Sequence, residues 1–228
     1  TLAAVGDGAG SRPDATVVGN FIADQNPDFL LYLGDVYERG TFTEFHNWYG
    51  QAQGYGRVRA ITNPIVGNHE YQDPGAAGYF YFFDNVPHYY SFDSGGWHII
   101  GLDSTSQFNQ LTPGKAQYDW LVNDLAANTL PCVLVYFHHP RYSVGPQGDT
   151  PALAQIWALL AQQGVDVVLT GHDHSYQRWQ PLDGGGQPQA QGVTQFVVGA
   201  GGQGVQAAAR SDSRLASMNI EYGALFLD

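Results

Sequence analysis

The chain has 228 residues, 43% of them hydrophobic, and a formal net charge of −12. It is long enough for a sizeable core and too apolar to be disordered, and its apolar runs are too short to span a membrane as helices. With one lysine, Lys115, and scattered arginines it has no basic patch, which argues against nucleic acid and anionic membranes as partners.

The first predicted strand, residues 2–5 (LAAV), ends at Gly6-Asp7. A helix is predicted over 15–24, with Val17, Val18, Phe21 and Ile22 on one side. A strand over 29–33 ends at Gly34-Asp35. Residues 42–48 read as helical, with His46 on the surface or packed. A strand over 61–66 runs into Gly67-Asn68-His69-Glu70. The aromatic stretch 71–83 and Tyr142 are expected to wall a cleft, with most of those rings in the core. Nothing in the sequence pairs with His88. Residues 89–103 (YYSFDSGGWHIIGLD) predict a β-hairpin turning at Ser94-Gly95-Gly96, with a strand over 97–102. His98 alternates into it as a core or hydrogen-bonded residue.

Thr112 and Pro113 predict the N-cap and first position of a helix running to Leu125. A strand over 133–137 ends at His138-His139-Pro140. Beside it Cys132, the only cysteine, reads as an inert core thiol. Thr150 and Pro151 repeat the cap signal for a helix ending near Gly164. A strand over 165–169 ends at Thr170-Gly171-His172-Asp173-His174, and Arg178 beyond it is expected to pair with a carboxylate. Residues 183–192 and 199–214 read as surface loops, the second as mobile. A last strand is predicted over 196–198. Near-continuous apolar strands alternating with helices predict α/β architecture with largely parallel strands, in a single domain spanning 1–228.

Five strands therefore end in metal-capable residues, four of them through a glycine that lets the chain turn sharply. One such end is ordinarily just a turn. Sites in open α/β sheets form outside the carboxyl ends of strands, so five neighbouring ends would gather two Asp, one Asn and three or four His. Carboxylate, amide oxygen and imidazole suit Zn, Fe or Mn. Six or seven ligands are too many for one tetrahedral ion and suit two. Paired cations would also neutralise an anionic substrate that the acidic chain cannot.

Gly-Asp, Gly-Asp, Gly-Asn-His-Glu, a strand-ending His before x-Pro, and Gly-His-x-His, in order over 6–174, resemble the calcineurin-like metallophosphoesterases. Ala9 stands where many members carry a third-position His, and this makes the chain most similar to the purple acid phosphatase branch. The resemblance implies a β-sandwich of mixed sheets flanked by helices, in four α/β/β/α layers. It also implies hydrolysis of phosphate monoesters by a water activated on two transition-metal ions (Fe, Zn or Mn), or of diesters or nucleotides at the same centre. By that pattern Asp7 and His174 bind the first ion, Asp35 bridges, and Asn68, His138 and His172 bind the second. His69 either faces the phosphate and leaving group or bonds to an Asp. His139 either supports a ligand or lies near the substrate. The branch carries a Tyr three residues after the bridging Asp. Here Glu38 holds that place and Tyr37 lies one residue earlier, so either Tyr37 completes the first ion or Glu38 or water does. The partner implied is a small phosphate ester. An acidic, lysine-poor chain starting directly on TLAAV suits a secreted or extracytoplasmic protein.

Overall fold

A computed structural model describes all of residues 1–228. Two mixed sheets lie face to face. The smaller contains β1 (Leu2–Val5), β2 (Phe29–Tyr32), β3 (Thr62–Pro64) and β11 (Leu225–Leu227), in the order β11-β1-β2-β3. The larger contains β4 (Tyr90–Ser94), β5 (Trp97–Gly101), β6 (Cys132–Tyr136), β7 (Val167–Thr170), β8 (Tyr176–Trp179), β9 (Thr194–Val198) and β10 (Leu215–Asn219). Its order is β10-β8-β9-β7-β6-β5-β4. Strands β1, β2 and β3 are mutually parallel, as are β5, β6, β7 and β9.

Strand alternation builds the layers. Successive side chains point to opposite faces, so Ala4, Leu31, Leu33, Ile99, Leu134, Tyr136 and Leu169 meet between the sheets. Their neighbours Ile100, Val133, Val135, Phe137 and Val168 face outward, under α4 (Ala116–Ala127) and α5 (Ala154–Gln162). On the other side Ala3, Val5, Leu30 and Tyr32 face α1 (Pro13–Asp24) and the aromatic segment around α2 (Phe42–Glu44) and α3 (Ala77–Phe82). Truncating a residue such as Leu134 to alanine would cost about 2–5 kcal/mol.

Several expectations are corrected in detail. Helix α1 buries Ala15, Val18, Gly19 and Ile22, at i, i+3, i+4 and i+7, while Val17 and Phe21 are exposed. Gly19 decides this face: a Cβ there would lie 2.3 Å from the Tyr55 nitrogen. Helix α4 begins at Ala116, not near Pro113, because Gly114 has φ +80° and breaks the spiral. The Gln110 and Asp119 side chains accept the Ala116 and Gly114 amides in place of the expected threonine cap. Residues 151–153 form a 3₁₀ turn before α5, and Thr150 makes no capping bond. Strands β8, β10 and β11 were not predicted. Cys132 is half-buried rather than core. Arg178 forms no ion pair and lies over the Phe196 ring. Tyr142 is core, packed between Trp157 and Trp179, and walls no cleft.

Candidate metal centre

Strands β1, β2 and β3 of one sheet and β6 and β7 of the other bring their carboxyl ends to one edge of the sandwich. The backbone stitches them there: Gly6 N–H donates to Val198 O, Asp7 N–H to Gly34 O, and Gly171 N–H to His138 O. The expected glycine turns work differently from the sequence expectation. Asp7 (φ 58°), Asp35 (φ 65°) and His172 (φ 70°) themselves take the left-handed conformation. Such backbone costs on the order of 1–3 kcal/mol per residue and gathers at functional sites. Of the strand-end glycines before them, only Gly34 has positive φ. The others are glycine because space has run out. A Cβ on Gly67 would lie 2.2 Å from Asp35 Oδ1, and one on Gly171 would lie 2.4 Å from Asp7 Oδ2.

The side chains form two groups that share Asp35. In one, Tyr37 Oη lies 3.2 Å from Asp7 Oδ1, 3.3 Å from Asp35 Oδ2 and 2.8 Å from His174 Nε2. Tyr37 therefore reaches the group despite its shifted spacing. In the other, His138 Nε2 lies 3.0 Å from Asn68 Oδ1, 3.2 Å from Asp35 Oδ2 and 3.2 Å from His172 Nδ1. The His172 amide donates to Asp7 Oδ2 at 2.7 Å, so that residue ties the two groups together. Asp7, Asp35 and His138 are fully buried; Asn68, His172 and His174 are half-buried and form the mouth.

Supporting bonds fix the rings. His138 Nδ1 donates to Leu33 O at 2.7 Å and His174 Nδ1 to Gly204 O at 3.0 Å, which aims each Nε2 inward. In the second group a ring nitrogen, an amide oxygen and a carboxylate oxygen then converge. That donor set fits a cation of the kind nitrogen and oxygen ligands prefer.

The charges follow the packing. Burial, then Asp35, pushes Asp7 well above the usual carboxylate range. Burial would raise Asp35 too, but the His138 ring and the His69 amide hold it well below that range. Burial would lower His138, yet Asp35 and Asp7 bring it up to about 10. Burial, then His138, brings His172 down to about 3 and His139 well below its usual value. Both are thus neutral, the state in which an imidazole can bind metal.

His69 and His139 lie beside the groups. His69 donates its amide to Asp35 Oδ1 (2.8 Å) and its Nδ1 to Glu38 O (2.6 Å), so its ring is not bonded to an Asp. That ring lies against Tyr37, with centroids 4.2 Å apart. His139 packs against His172, at 4.5 Å between centroids, with Nδ1 3.0 Å from Ser104 Oγ. A ring nitrogen of His139 lies within 4.8 Å of those of His138 and His172. His46 is exposed beside Phe42, apart from the site. His88 has a partner that the sequence did not reveal, the Asp103 carboxylate at 3.1 Å.

Three contributors escaped sequence reasoning. The buried Glu70 carboxylate accepts the amides of Asp35 (2.9 Å), Val36 and Gly67 (2.6 Å) and clamps two strand ends together. Its signal was the last letter of Gly-Asn-His-Glu. Tyr32 Oη accepts the Ala9 amide (2.8 Å) and donates to Asp35 O (3.0 Å). The segment expected to be a mobile loop is held against the site from 199 to 206. Gly201 and Gln203 donate to Gly6 O and Asp7 O, and Gln206 to His174 O.

Comparison with known proteins gives three kinds of match. The family model described as calcineurin-like phosphoesterase matches residues 1–176. Purple acid phosphatase 18 of Arabidopsis thaliana is 34% identical over 121 residues, which is 50% of this chain and 26% of that protein. Probable inactive purple acid phosphatase 9 of the same plant is 26% identical over 208 residues, 69% of this chain and 31% of that one. The chain thus spans under a third of the length of either relative. The solved structure of purple acid phosphatase PPD1 from yellow lupin (Lupinus luteus) seeds superposes with a TM-score of 0.84 at 17% identity, over 98% of this chain and 48% of that chain. This last likeness carries the fold, the four-layer sandwich described above.

Proposed function

The chain belongs to the calcineurin-like phosphoesterase family, and on that premise we propose that it hydrolyses phosphate monoesters, as an acid phosphatase does, with two transition-metal ions. Asp7, Tyr37 and His174 would hold the first ion and Asn68, His138 and His172 the second, with Asp35 common to both groups. The observation that carries the proposal is the convergence of Asn68 Oδ1 and Asp35 Oδ2 on His138 Nε2, at 3.0 and 3.2 Å. When bound, such a pair of ions supplies Lewis acidity to phosphate oxygens and acidifies water toward neutral pH. Iron, zinc and manganese all suit the donors.

The chain's own residues do the rest. The amides of His69 and His172 keep Asp35 and Asp7 turned inward. Leu33 O and Gly204 O fix the rings of His138 and His174. Glu70 holds the Asp35 turn, and His139 packs against His172. His69, with Nδ1 engaged by Glu38 O, keeps Nε2 free of any partner in the chain. Its place beside Asp35 and Tyr37 suits it to hand the departing alkoxide its proton.

A non-catalytic scaffold on this fold would be expected to lose ligand positions; this chain keeps Asp7, Asp35, Asn68, His138, His172 and His174 in the pattern, and only the tyrosine, Tyr37, is shifted in sequence. An extracytoplasmic location, suggested by composition, belongs to the same proposal. The test uses purified protein with Mn²⁺, Zn²⁺ or Fe on p-nitrophenyl phosphate and bis(p-nitrophenyl) phosphate. We expect turnover with the monoester faster. A faster diester would move the assignment to a phosphodiesterase, and no turnover of either ester by metal-loaded protein would overturn it.

A further inference from the structure

Two threonines that the sequence marks as helix caps cap nothing. Gly114 separates Thr112 from α4, and Thr150 makes no capping bond. Neither hydroxyl, nor the Asn109 amide, has a hydrogen-bond partner in the chain; the bonds these residues make are through their backbones. All three line one cleft of ≈ 240 Å³, together with His139, Leu111 and Leu153.

The cleft adjoins the candidate metal centre through His139. His139 lines it and also packs on His172 and His138, with centroids 4.5 and 4.9 Å away. Ser104 holds His139 from two sides: Oγ accepts the His139 amide (2.9 Å) and contacts Nδ1 (3.0 Å). A phosphate seated at the metal centre therefore has the cleft beside it, on the His139 side.

The lining selects chemistry. No Asp, Glu, Lys or Arg faces the cleft. A second phosphate, a carboxylate or an ammonium group would be desolvated there without a partner, which is costly. Two free hydroxyls and an amide offer both donors and acceptors, and two leucines offer an apolar wall. The volume is below the ~300–1,000 Å³ of a drug-sized site, so it holds one small ring or short chain.

We propose that this cleft receives the alcohol portion of the substrate, and that this alcohol is a small uncharged polyol or sugar such as a pentose. The proposal rests on the phosphoesterase assignment above. Thr112, Thr150 and Asn109 hydrogen-bond its hydroxyls, and Leu111 and Leu153 cover its C–H face.

The test separates the two claims. Metal-loaded wild type and the double variant Thr112→Val, Thr150→Val are compared on ribose 5-phosphate and p-nitrophenyl phosphate. In parallel, saturation-transfer NMR is recorded with free ribose. We expect KM for ribose 5-phosphate to rise about tenfold in the variant, as the loss of two hydrogen bonds implies, and the ratio of kcat/KM for ribose 5-phosphate to that for p-nitrophenyl phosphate to fall with it. Transfer to ribose should be seen with wild type and lost in the variant. Asn109→Ala, with the same expectation, serves if the double variant does not fold. Equal rates on both esters in wild type and variant, with ribose transfer absent or unaltered, would overturn the cleft assignment and leave the hydrolase assignment standing. Variant-sensitive ribose transfer with no turnover of either ester would keep the sugar site and sink the hydrolase.

Discussion

The two ends of the sandwich use left-handed backbone in opposite ways. At the amino ends, Gly95 (φ 58°) and Gly96 (φ 83°) turn β4 into β5, and a Cβ on either would meet nothing within 4 Å. Glycine there supplies conformation. At the carboxyl ends, Asp7, Asp35 and His172 carry the positive φ alongside Gly34, and Gly67 and Gly171 supply room. One end follows the cheapest rule for a hairpin. The other accepts strain so that side chains from both sheets can face one spot, and strain of that kind persists only where surrounding bonds over-determine it. Glu70, Tyr32 and the 199–206 segment are those bonds.

The largest effect should come from removing ligand atoms at the carboxyl ends. Asn68→Ala or His172→Ala should lower kcat by about a hundredfold or more, since even residues behind metal ligands are worth roughly 10–100-fold. Each variant should also retain fewer ions per chain by elemental analysis. Near wild-type rates would remove these residues from the site.

Next comes a contrast between glycines. Gly171→Ala places a methyl group 2.4 Å from the Asp7 carboxylate. Overpacking of this kind costs about 1–3 kcal/mol, so Tm should fall and metal content with it. Gly95→Ala adds only the cost of a left-handed alanine, about 1–2 kcal/mol. It should lower Tm and leave metal content and kcat unchanged. If both variants lose metal alike, the distinction between the two ends fails.

The smallest effect belongs to the amino end of β5. His98 Nδ1 lies 2.7 Å from Asp93 and Nε2 2.9 Å from Asp124. Burial would lower its pKa, but the two carboxylates raise it above the ordinary value. A raised folded-state pKa stabilises the protein fully below the unfolded value, near about 6.5, and the gain fades as pH rises through the folded value. The urea midpoint of wild type should therefore exceed that of His98→Gln most below about pH 6.5. The gap should narrow on the alkaline side. A gap that widens with pH would contradict this ion pairing.

Sequence reasoning recovered what depends on short stretches. Residues 2–5 and the parallel strands of the larger sheet are local apolar runs, and Asp7, Asp35, Asn68, His138, His172 and His174 could be read from their places just past the ends of such runs. It failed where a partner is distant in sequence. Strand β8 buries Gln177, whose amide is satisfied by Ser143 and Ser175, so its alternation looked polar. Strands β10 and β11 are short edge strands whose partners, β8 and β1, are far away in the chain. Glu70 reaches back across 35 residues to Asp35. The spacing of Tyr37 looked like a departure, yet the hydroxyl arrives among Asp7, Asp35 and His174, because position is set by the strand end and loop rather than by residue count.

The central claim is that strand ends from both sheets hold two metal ions, and anomalous scattering at the iron, zinc and manganese edges of a metal-loaded crystal tests it most directly. The account predicts two peaks that share Asp35, one among Asp7, Tyr37 and His174 and the other among Asn68, His138 and His172. A single peak, or none at these residues in protein shown to be metal-loaded, would contradict it.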